Sequence, residues 1–360
     1  STHKKMKKIF IPFSLIVLSL LPACQSGTQV EEEQHKGMLI VASKSGNDVY
    51  FIDRKTGETL AVLPTGLEPH EVEVSDDGKF AVVCNYGKRD DPGNTLSVYD
   101  IEKLNYVKTI ELNEHTYPHG MKWIAGTSQM LVTAEGSRHL LVVDIELGEV
   151  VKQLHTEEEV SHMVAATPDF GRVFVPSIRT GNVAVFDLKT AELIDHIYSG
   201  AGAEGIDVSP DGKEVWITNR ADNTISVFDT HSLELLDTIP CSDFPIRAKF
   251  TPNGKYFVVS NARSGDIAVF DAAERRLKGR VEMVPPPASA EDDTRYFAEF
   301  EGTSIPIGIV IPDDSTVFVA NTRSDAVTEI NLNKMEISRH IQAGKEPDGI
   351  HFSSLKPVVH

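Results

Sequence analysis

Three histidines occur at the start of alternating apolar and polar runs, in segments that look like copies of one another. His70 lies in "EPHEVEV", His119 in "TYPHGMKW" and His162 in "VSHMVAA". Seven such segments align, and the residue at this position changes from one to the next. In the order in which the segments would close a ring, this histidine column reads Asp348, His70, His119, His162, Glu204, Ile246 and Ile307.

Imidazole and carboxylate groups are common protein ligands of zinc, copper and iron. The histidine column therefore predicts a divalent transition-metal site with an open coordination position, and its candidate ligands are His70, His119, His162, Glu204 and Asp348. The alternative is a polar channel in which the three imidazoles hydrogen-bond water and carbonyl groups. No CxxC pair supports the metal site locally.

A second set of residues, the basic column, follows the second run of each repeat: Lys44, Lys88 or Arg89, Arg179, Arg220, Arg263 and Arg323. The third repeat has Glu135 at this place, with Arg138 just beyond it. Guanidinium groups bind anions through charge-assisted, bidentate hydrogen bonds, so the basic column predicts capture of an anionic small molecule. The alternative is local pairing with nearby acids, such as Asp222 after Arg220.

Both columns depend on internal repeats, of which the sharpest spans residues 205–230, "GIDVSPDGKEVWITNRADNTISVFDT". It contains an alternating run, a Ser-Pro-Asp-Gly turn, an apolar run, a polar turn and a further run. The corresponding third runs end at Asp53, Asp100, Asp144, Asp187, Asp229, Asp271 and Asn331. Spacings of about 42 to 47 residues, apart from insertions, indicate four short β-strands per repeat. We therefore predict an all-β fold, a seven-bladed β-propeller of four-stranded blades over residues 37–360.

The two ends of the repeat region complement each other. The first repeat, "MLIVASKSGNDVYFID", lacks a leading strand, whereas "EPDGIHFS" (346–353) is a leading strand with no repeat after it. Pairing the two would remove free sheet edges, which otherwise promote aggregation. The last strand is therefore predicted to be the innermost strand of blade 1. The seven leading strands would then surround one central channel, with the histidine column at its mouth.

The N-terminal segment has the composition of a targeting signal. Residues 1–23 contain basic residues followed by a largely apolar run of 13 residues, too short to cross a bilayer. The run ends in "LPAC", which resembles the bacterial lipobox and implies that Cys24 is acylated and anchors the protein to a membrane. Gln25 is similar to the residue found there in outer-membrane lipoproteins, so we expect a periplasmic or surface-exposed protein on the outer membrane. Residues 24–36 are predicted to be an acidic tether.

The charge disfavours a nucleic-acid-binding protein, and the cysteine content disfavours a fold stabilised by disulfides. Without residues 1–23, the chain carries 31 Lys and Arg against 53 Asp and Glu, a net charge of −22, which disfavours nucleic acid as a partner. Cys84 and Cys241 remain after lipidation, too few for a disulfide framework. Two insertions, 87–94 and 285–300, break the repeat period, and we expect both to be solvated acidic loops.

The segments "SPDGKEVWITN", "TPNGKYFVVSN" and "DDSTVFVAN" resemble the YVTN-repeat family, the seven-bladed propellers of the periplasm and of surface layers. The resemblance covers nearly the whole chain after the leader. It implies the same fold, but family members range from ligand and DNA binders to surface-layer proteins and enzyme-associated domains. The function therefore has to be inferred from the site.

We interpret the chain as an envelope-anchored, monomeric, non-catalytic binding or scaffold module. Its anionic ligand or envelope protein partner would bind at the channel mouth. The main alternative is an enzyme, because "VCNYGKRDDPGNTLSVYD" resembles strands of propeller lactonases. Metal-assisted hydrolysis would use Glu204 as general base, and a metal- or heme-dependent oxidoreductase is a variant of this alternative. A second alternative is single-stranded nucleic-acid binding through the basic column.

Overall fold

All seven predicted blades are present as separate four-stranded antiparallel sheets. The computed structural model describes residues 37–283, 300 and 302–358. The leader 1–23, the lipidation candidate Cys24 and the tether 24–36 lie outside the described residues. So do residues 284–299, which include most of the second insertion.

The strands of blades 1 to 4 follow chain order from the channel outward, except that the C-terminal strand opens blade 1. Blade 1 contains β1 (Met38–Ser43), β2 (Asp48–Asp53), β3 (Thr59–Pro64) and the C-terminal β28 (Pro347–Ser353). Blade 2 contains β4 (Pro69–Val74), β5 (Phe80–Lys88), β6 (Asp91–Asp100) and β7 (Asn105–Glu111). Blade 3 contains β8 (Pro118–Trp123), β9 (Gln129–Ala134), β10 (His139–Asp144) and β11 (Glu149–His155). Blade 4 contains β12 (Ala165–Ala166), β13 (Val173–Pro176), β14 (Asn182–Asp187) and β15 (Glu192–Tyr198).

The remaining three blades have the same arrangement. Blade 5 contains β16 (Ala203–Val208), β17 (Glu214–Asn219), β18 (Thr224–Asp229) and β19 (Leu235–Pro240). Blade 6 contains β20 (Pro245–Phe250), β21 (Tyr256–Asn261), β22 (Asp266–Asp271) and β23 (Arg276–Glu282). Blade 7 contains β24 (Pro306–Asp313), β25 (Thr316–Asn321), β26 (Ala326–Asn331) and β27 (Glu336–Gln342), with a short 3-10 helix at Thr322–Ser324. No helix in the described residues is long and apolar enough to cross a membrane.

The predicted fold and its closure are confirmed. The third strand of every blade ends at the predicted Asp or Asn. The strand β28 pairs antiparallel with β1, from Met38 opposite Ser353 to Ser43 opposite Pro347, and it is the innermost strand of blade 1. The C-terminus thereby hydrogen-bonds the edge that β1 would otherwise expose.

The hydrophobic core consists of layers between neighbouring sheets rather than one central mass. Between blades 5 and 6, for example, Trp216 packs edge-on against Phe250, with ring centroids 5.5 Å apart, and 4.9 Å from Phe257. The innermost strands of the seven blades line a shared channel, which contains a cavity of about 200 Å³. Cys84 and Cys241 are free thiols, and Cys84 is buried.

The expectation of a loop at 87–94 is wrong, because this insertion lengthens a hairpin. Strands β5 and β6 stay paired as far as Lys88 opposite Asp91. Gly87 has φ of +83°, and a Cβ there would come within 2.0 Å of the Gly93 nitrogen. Two glycines therefore let the strands continue past a bulge, so that the extension projects as ordered β-structure.

Blade 4 departs from the repeat at its innermost strand. "VSHMVAA" predicts a full leading strand, but β12 covers only two residues, preceded by a single bridge from Ser161 to Ser177. The His162 carbonyl instead accepts hydrogen bonds from the Gly120 amide (2.9 Å) and the Thr133 hydroxyl (2.6 Å), both in blade 3. This segment lacks the Pro-x-Gly start of blades 1, 3 and 7, and within its own sheet the His162 amide donates to the Pro176 carbonyl at 3.0 Å.

Candidate functional site at the channel mouth

Five residues of the histidine column form a continuous chain of contacts in the predicted order. His70 Nδ1 lies 3.8 Å from Asp348 Oδ2, and the His70 and His119 ring centroids are 5.2 Å apart. The His119 and His162 rings are closer, with centroids 3.6 Å apart. His162 Nε2 lies 3.1 Å from Glu204 Oε1. Side chains from blades 1 to 5, distant in sequence, are therefore neighbours at one mouth of the channel.

The two isoleucines of the column complete the ring with an apolar patch. Ile246 and Ile307, from blades 6 and 7, pack in a small hydrophobic cluster with Phe244 and Phe300. The mouth therefore has a polar arc of five blades and an apolar arc of two, as the column predicts.

Local backbone geometry explains why these side chains converge. In blades 2 and 3 the register shifts just after the strand-opening Pro69 and Pro118, and this irregularity contains His70 and His119. The next residue in blade 3 is Gly120, whose Cβ would come within 2.6 Å of the His162 oxygen. The missing side chain lets adjacent innermost strands approach closely, which brings His119 and His162 into contact.

Arg247 and Glu71 were not among the predicted site residues. Each directly follows the histidine column, as the third residue of its innermost strand, and their side chains meet across the channel. Both replace the glycine found in four of the other blades. Arg247, from blade 6, donates through Nε to Glu71 Oε1 of blade 2 at 2.9 Å and through Nη1 to Glu204 at 2.8 Å. The sequence contains a signal for this contact, because a charged side chain at a position that is glycine in other blades extends into space that those blades leave empty.

Glu204 is held as a carboxylate by two arginines. Arg220 Nη1 lies 2.7 Å from its Oε2 and Arg247 Nη1 lies 2.8 Å from its Oε1. Burial alone would raise the pKa of Glu204, but the cationic His162 and the two guanidinium groups outweigh it and hold this pKa well below its usual range. The carboxylates of Glu71 and Glu204 likewise raise the pKa of Arg247 against the effect of its burial.

The three histidines differ in protonation. Burial lowers the pKa of His162, but the carboxylates of Glu135, which bonds Nδ1, and Glu204 outweigh burial and raise this pKa to about 9. Burial lowers the pKa values of His70 and His119 well below the usual value, and nearby cations add to the shift. His162 is therefore an imidazolium at neutral pH, whereas the other two rings are neutral.

The proton position on His119 follows from its neighbour. Arg247 Nη2 lies 3.4 Å from His119 Nε2, and a guanidinium can only donate, so Nε2 accepts and the ring proton sits on Nδ1. This buried Nδ1 has no hydrogen-bond partner among the described residues. The same holds for Oδ1 of Asp348, a carboxyl group whose pKa burial and Glu71 raise to about 6. The mouth thus contains one donor and one acceptor that no group among the described residues satisfies.

Aromatic rings form one wall of the mouth. Tyr86 stacks on His70 with centroids 4.1 Å apart, and Tyr117 lies 5.1 Å from Tyr86. The Tyr86 hydroxyl donates to Glu135 Oε2 at 2.7 Å. The Glu135 side chain, which extends over the arc from blade 3, is therefore held by both His162 and Tyr86.

Three potential metal ligands converge in the described residues: His119, Glu135 and His162, each with one ligand atom within 4.8 Å of the others. Two of these were predicted as ligands, whereas Glu135 appeared in the sequence only as the exception in the basic column. Glu204 touches the set through His162 but is bound by arginines. His70 and Asp348 lie together at the other end of the arc.

The basic column is largely paired with protein groups. Its ion pairs are Lys88–Glu68 (3.9 Å), Arg179–Glu159 (2.8 Å), Arg220–Glu204 (2.7 Å) and Arg263–Asp243 (2.9 Å). Arg323 donates to the Phe300 carbonyl at 3.1 Å, and Lys44 lies close enough to His70 to lower the pKa of that ring. Arg89 is exposed at the tip of the β5–β6 hairpin. An anion at this rim would have to compete with carboxylates for most of these cations.

The fold and the mouth define a seven-bladed β-propeller with a buried, charge-compensated cluster at one end of its channel. The sequence model of the family described as "Lactonase, 7-bladed beta-propeller" matches residues 187–287. No curated protein sequence matches the chain.

Two solved structures show the same fold at low sequence identity. Hydrazine synthase from Kuenenia stuttgartiensis has a TM-score of 0.67 and 19% identity, covering 83% of this chain and 93% of its own. A functionally unknown protein from Desulfotomaculum acetoxidans DSM 771 has a TM-score of 0.72 and 14% identity, covering 89% of this chain and 100% of its own.

Proposed function

We propose that the protein is a non-catalytic binding module of the bacterial envelope, lipid-anchored through Cys24, whose channel mouth binds a small polar ligand. The observation that carries this proposal is the pair of unsatisfied buried groups, His119 Nδ1–H and Asp348 Oδ1. Leaving a buried polar group unpaired costs about 1–3 kcal/mol, so such groups persist where a ligand or water supplies the missing partner.

The charges around the mouth favour a neutral or zwitterionic ligand. The carboxylates of Glu71, Glu135, Glu204 and Asp348 are matched by Arg220, Arg247, Lys44 and the His162 imidazolium. A net anion would add an unmatched charge to this balanced, buried set, which is unfavourable in a region of low dielectric. We therefore favour a molecule that accepts a hydrogen bond from His119 and donates one to Asp348, such as an amide, a polyol or an amino acid.

The aromatic wall adds shape selectivity. A planar or ring-shaped polar molecule would stack beside Tyr86 and Tyr117 while its edge reached the arc, and such stacking is a common mode of recognition for amphipathic ligands. The apolar arc of Ile246 and Ile307 would contact the opposite side of the molecule.

The test is a thermal-shift screen of amides, polyols, amino acids and small anions, followed by calorimetry of each hit. We expect the affinity for the hit to fall tenfold or more in His119→Ala and in Asp348→Ala, because each change removes one hydrogen-bonding group. Arg179→Met, which alters an exposed member of the basic column, should leave the affinity unchanged. Hits that bind all three variants as tightly as the wild type would refute the proposed site.

A second candidate is a metal-assisted lactone hydrolase, favoured by the lactonase family match and by the converging ligands His119, Glu135 and His162. Zinc, copper or iron would suit this nitrogen and oxygen set. The ion would have to displace the proton of His162, which at pH 7 weakens binding about a hundredfold for a pKa of about 9. In this candidate His119 would serve as a metal ligand, and the depressed pKa of Glu204 makes that carboxylate a weak general base.

Turnover of sugar and muconate lactones by metal-loaded protein tests this candidate. Hydrolysis that disappears in His119→Ala and persists in Glu204→Gln would support it. Absence of turnover with each of the three metals would favour the binding module.

A further inference from the structure

A second group of histidines lies on blade 3, away from the contacts of the channel mouth. His115 is in the connection from β7 to β8, His139 opens β10 and His155 ends β11. The ring centroids of His115 and His139 are 4.9 Å apart, and those of His139 and His155 are also 4.9 Å apart. We call these three residues, with Glu114, the rim cluster.

A hydrogen bond fixes the tautomer of His139, and both His139 and His115 contact Ser137 through Nδ1. His139 Nδ1 lies 2.7 Å from the Ser137 carbonyl, which can only accept, so this nitrogen carries the proton and Nε2 has a free lone pair. His115 Nδ1 lies 2.7 Å from the Ser137 hydroxyl. His115 is 1% exposed, yet its Nε2 has no hydrogen-bond partner among the described residues.

This is the arrangement by which proteins orient metal-ligating histidines. A ligating imidazole commonly donates its other N–H to a backbone carbonyl or another acceptor, which sets the tautomer and the ring orientation. In the rim cluster, one serine contacts both rings: its carbonyl accepts from His139 Nδ1, and its hydroxyl hydrogen-bonds His115 Nδ1 and accepts in the tautomer that leaves Nε2 free to ligate. Burial and the neighbouring His139 lower the pKa of His115, which keeps this ring neutral.

The ring spacing agrees with a shared ion. Two imidazoles bound at about 2.1 Å in tetrahedral geometry have centroids roughly 5 Å apart. The observed separation of His115 and His139 is 4.9 Å. Glu114 is mostly exposed, and its Oε1 lies 3.8 Å from His115 Nε2, so its side chain is free to turn toward an ion.

His155 differs from the other two rings. Its Nδ1 accepts a hydrogen bond from the Glu157 amide at 3.1 Å, so its Nε2 carries the proton and is a donor. Among residues 37–283, 300 and 302–358, the group with three ligand atoms within 4.8 Å of one another is His119, Glu135 and His162 at the channel mouth. The rim cluster would therefore complete its coordination by movement of Glu114 rather than through three ligands already in place.

We propose that the rim cluster is a binding site for a divalent transition-metal ion, with His115 Nε2 and His139 Nε2 as fixed ligands and the Glu114 carboxylate as the movable third. His155 would donate a hydrogen bond to the bound water or anion in the open position. This site is independent of the channel mouth and of the function proposed there. Against the effect of burial, a side-chain hydrogen bond with Gln153 raises the pKa of His115, so Gln153 would compete with the ion for this ring.

Copper binding to chelator-treated protein tests the proposal. The background is His119→Ala, so that the channel mouth contributes no ion. In this background we expect one equivalent of bound Cu²⁺ with two nitrogen ligands in its electron paramagnetic resonance spectrum. Adding His139→Ala should abolish binding, and adding Glu114→Gln should weaken it about tenfold to a hundredfold. His231→Ala, an exposed histidine in blade 5, is the matched control and should change nothing.

The outcomes separate this site from the channel mouth. If His119→Ala alone reduces the number of bound ions, the lost ion was bound at the channel mouth and not at the rim cluster. Retention of the copper signal when His139→Ala is added, or a spectrum without two nitrogen ligands, overturns the rim proposal. Circular dichroism of each variant establishes that it is folded. Glu114→Gln changes an exposed residue and therefore tests the site without altering the buried His115 ring.

Discussion

Replacing Arg247 with methionine should destabilise the propeller more than any single change at its rim. The Arg247 side chain is 7% exposed, and it bonds Glu71 at 2.8 Å and Glu204 at 2.8 Å. Methionine keeps most of the apolar stem but leaves two buried carboxylates without this partner. Removing one member of a buried ion pair costs about 3–5 kcal/mol, whereas an exposed pair contributes about 0–1 kcal/mol.

Urea unfolding monitored by tryptophan fluorescence measures this difference. With an m-value of about 3 kcal/mol per molar urea, the midpoint should fall by about 1–1.7 M. Arg179→Met is the matched control, because its ion pair with Glu159 is largely exposed, and it should shift the midpoint by less than about 0.3 M. Adding Glu71→Gln to Arg247→Met should recover part of the loss, since it removes one of the unpaired charges.

Equal midpoints for Arg247→Met and Arg179→Met would refute the reasoning. That result would mean that water in the channel screens Glu71 and Glu204 as well as it screens a surface pair. The ligand argument would fail with it, because the preference for an uncharged molecule depends on the same poorly solvated mouth.

Three further predictions concern the mouth and the anchor. Because the pKa of His162 is raised to about 9 from an unfolded value of 6.5, its stabilising contribution is complete below pH 6.5 and lost as pH rises through 9. Chelator-treated protein should therefore lose about 3 kcal/mol of unfolding free energy across this range, and His162→Gln should lack this loss. Gly120→Ala should cost more than about 2 kcal/mol in the same urea assay, because its Cβ meets backbone 2.6 Å away, whereas Gly279→Ala faces only a methionine tip at 3.2 Å. Cys24→Ala should abolish incorporation of a clickable fatty acid and move the protein from the membrane to the soluble fraction, while Cys84→Ala should retain the label; labelled Cys24→Ala protein would exclude the anchor.

The fold was predictable because each repeat carries its own turn and strand signals. The third strands end at the predicted residues because a period-two run can keep one face in the core only in one register. The first insertion was predicted wrongly because its charged residues suggested a loop. Its pairing depends instead on Gly87 and Gly93, whose effect appears only when the two strands are placed side by side.

The sequence predicted the order of the polar residues around the mouth but not their ion-pair partners. Aligned columns placed the five polar residues on one arc, since neighbouring blades must present equivalent positions to the same channel. The column could not show that Arg247 reaches across the channel to Glu71, because that contact joins residues 176 positions apart on blades that are not adjacent. Nor could it show that Glu135, from a loop of blade 3, enters the arc beside His162.

These unforeseen contacts determine what the mouth can bind. Had the histidines stood alone, three neutral imidazoles and a carboxylate would have made a strong metal site. With Glu135 and Glu204 on either side of it, His162 instead retains a proton, and Arg220 and Arg247 bind the two oxygens of Glu204. A cation must then displace a proton, and an anion must separate an existing ion pair. A neutral molecule that uses His119 Nδ1–H and Asp348 Oδ1 disturbs neither, and for this reason the charge pattern favours it over both.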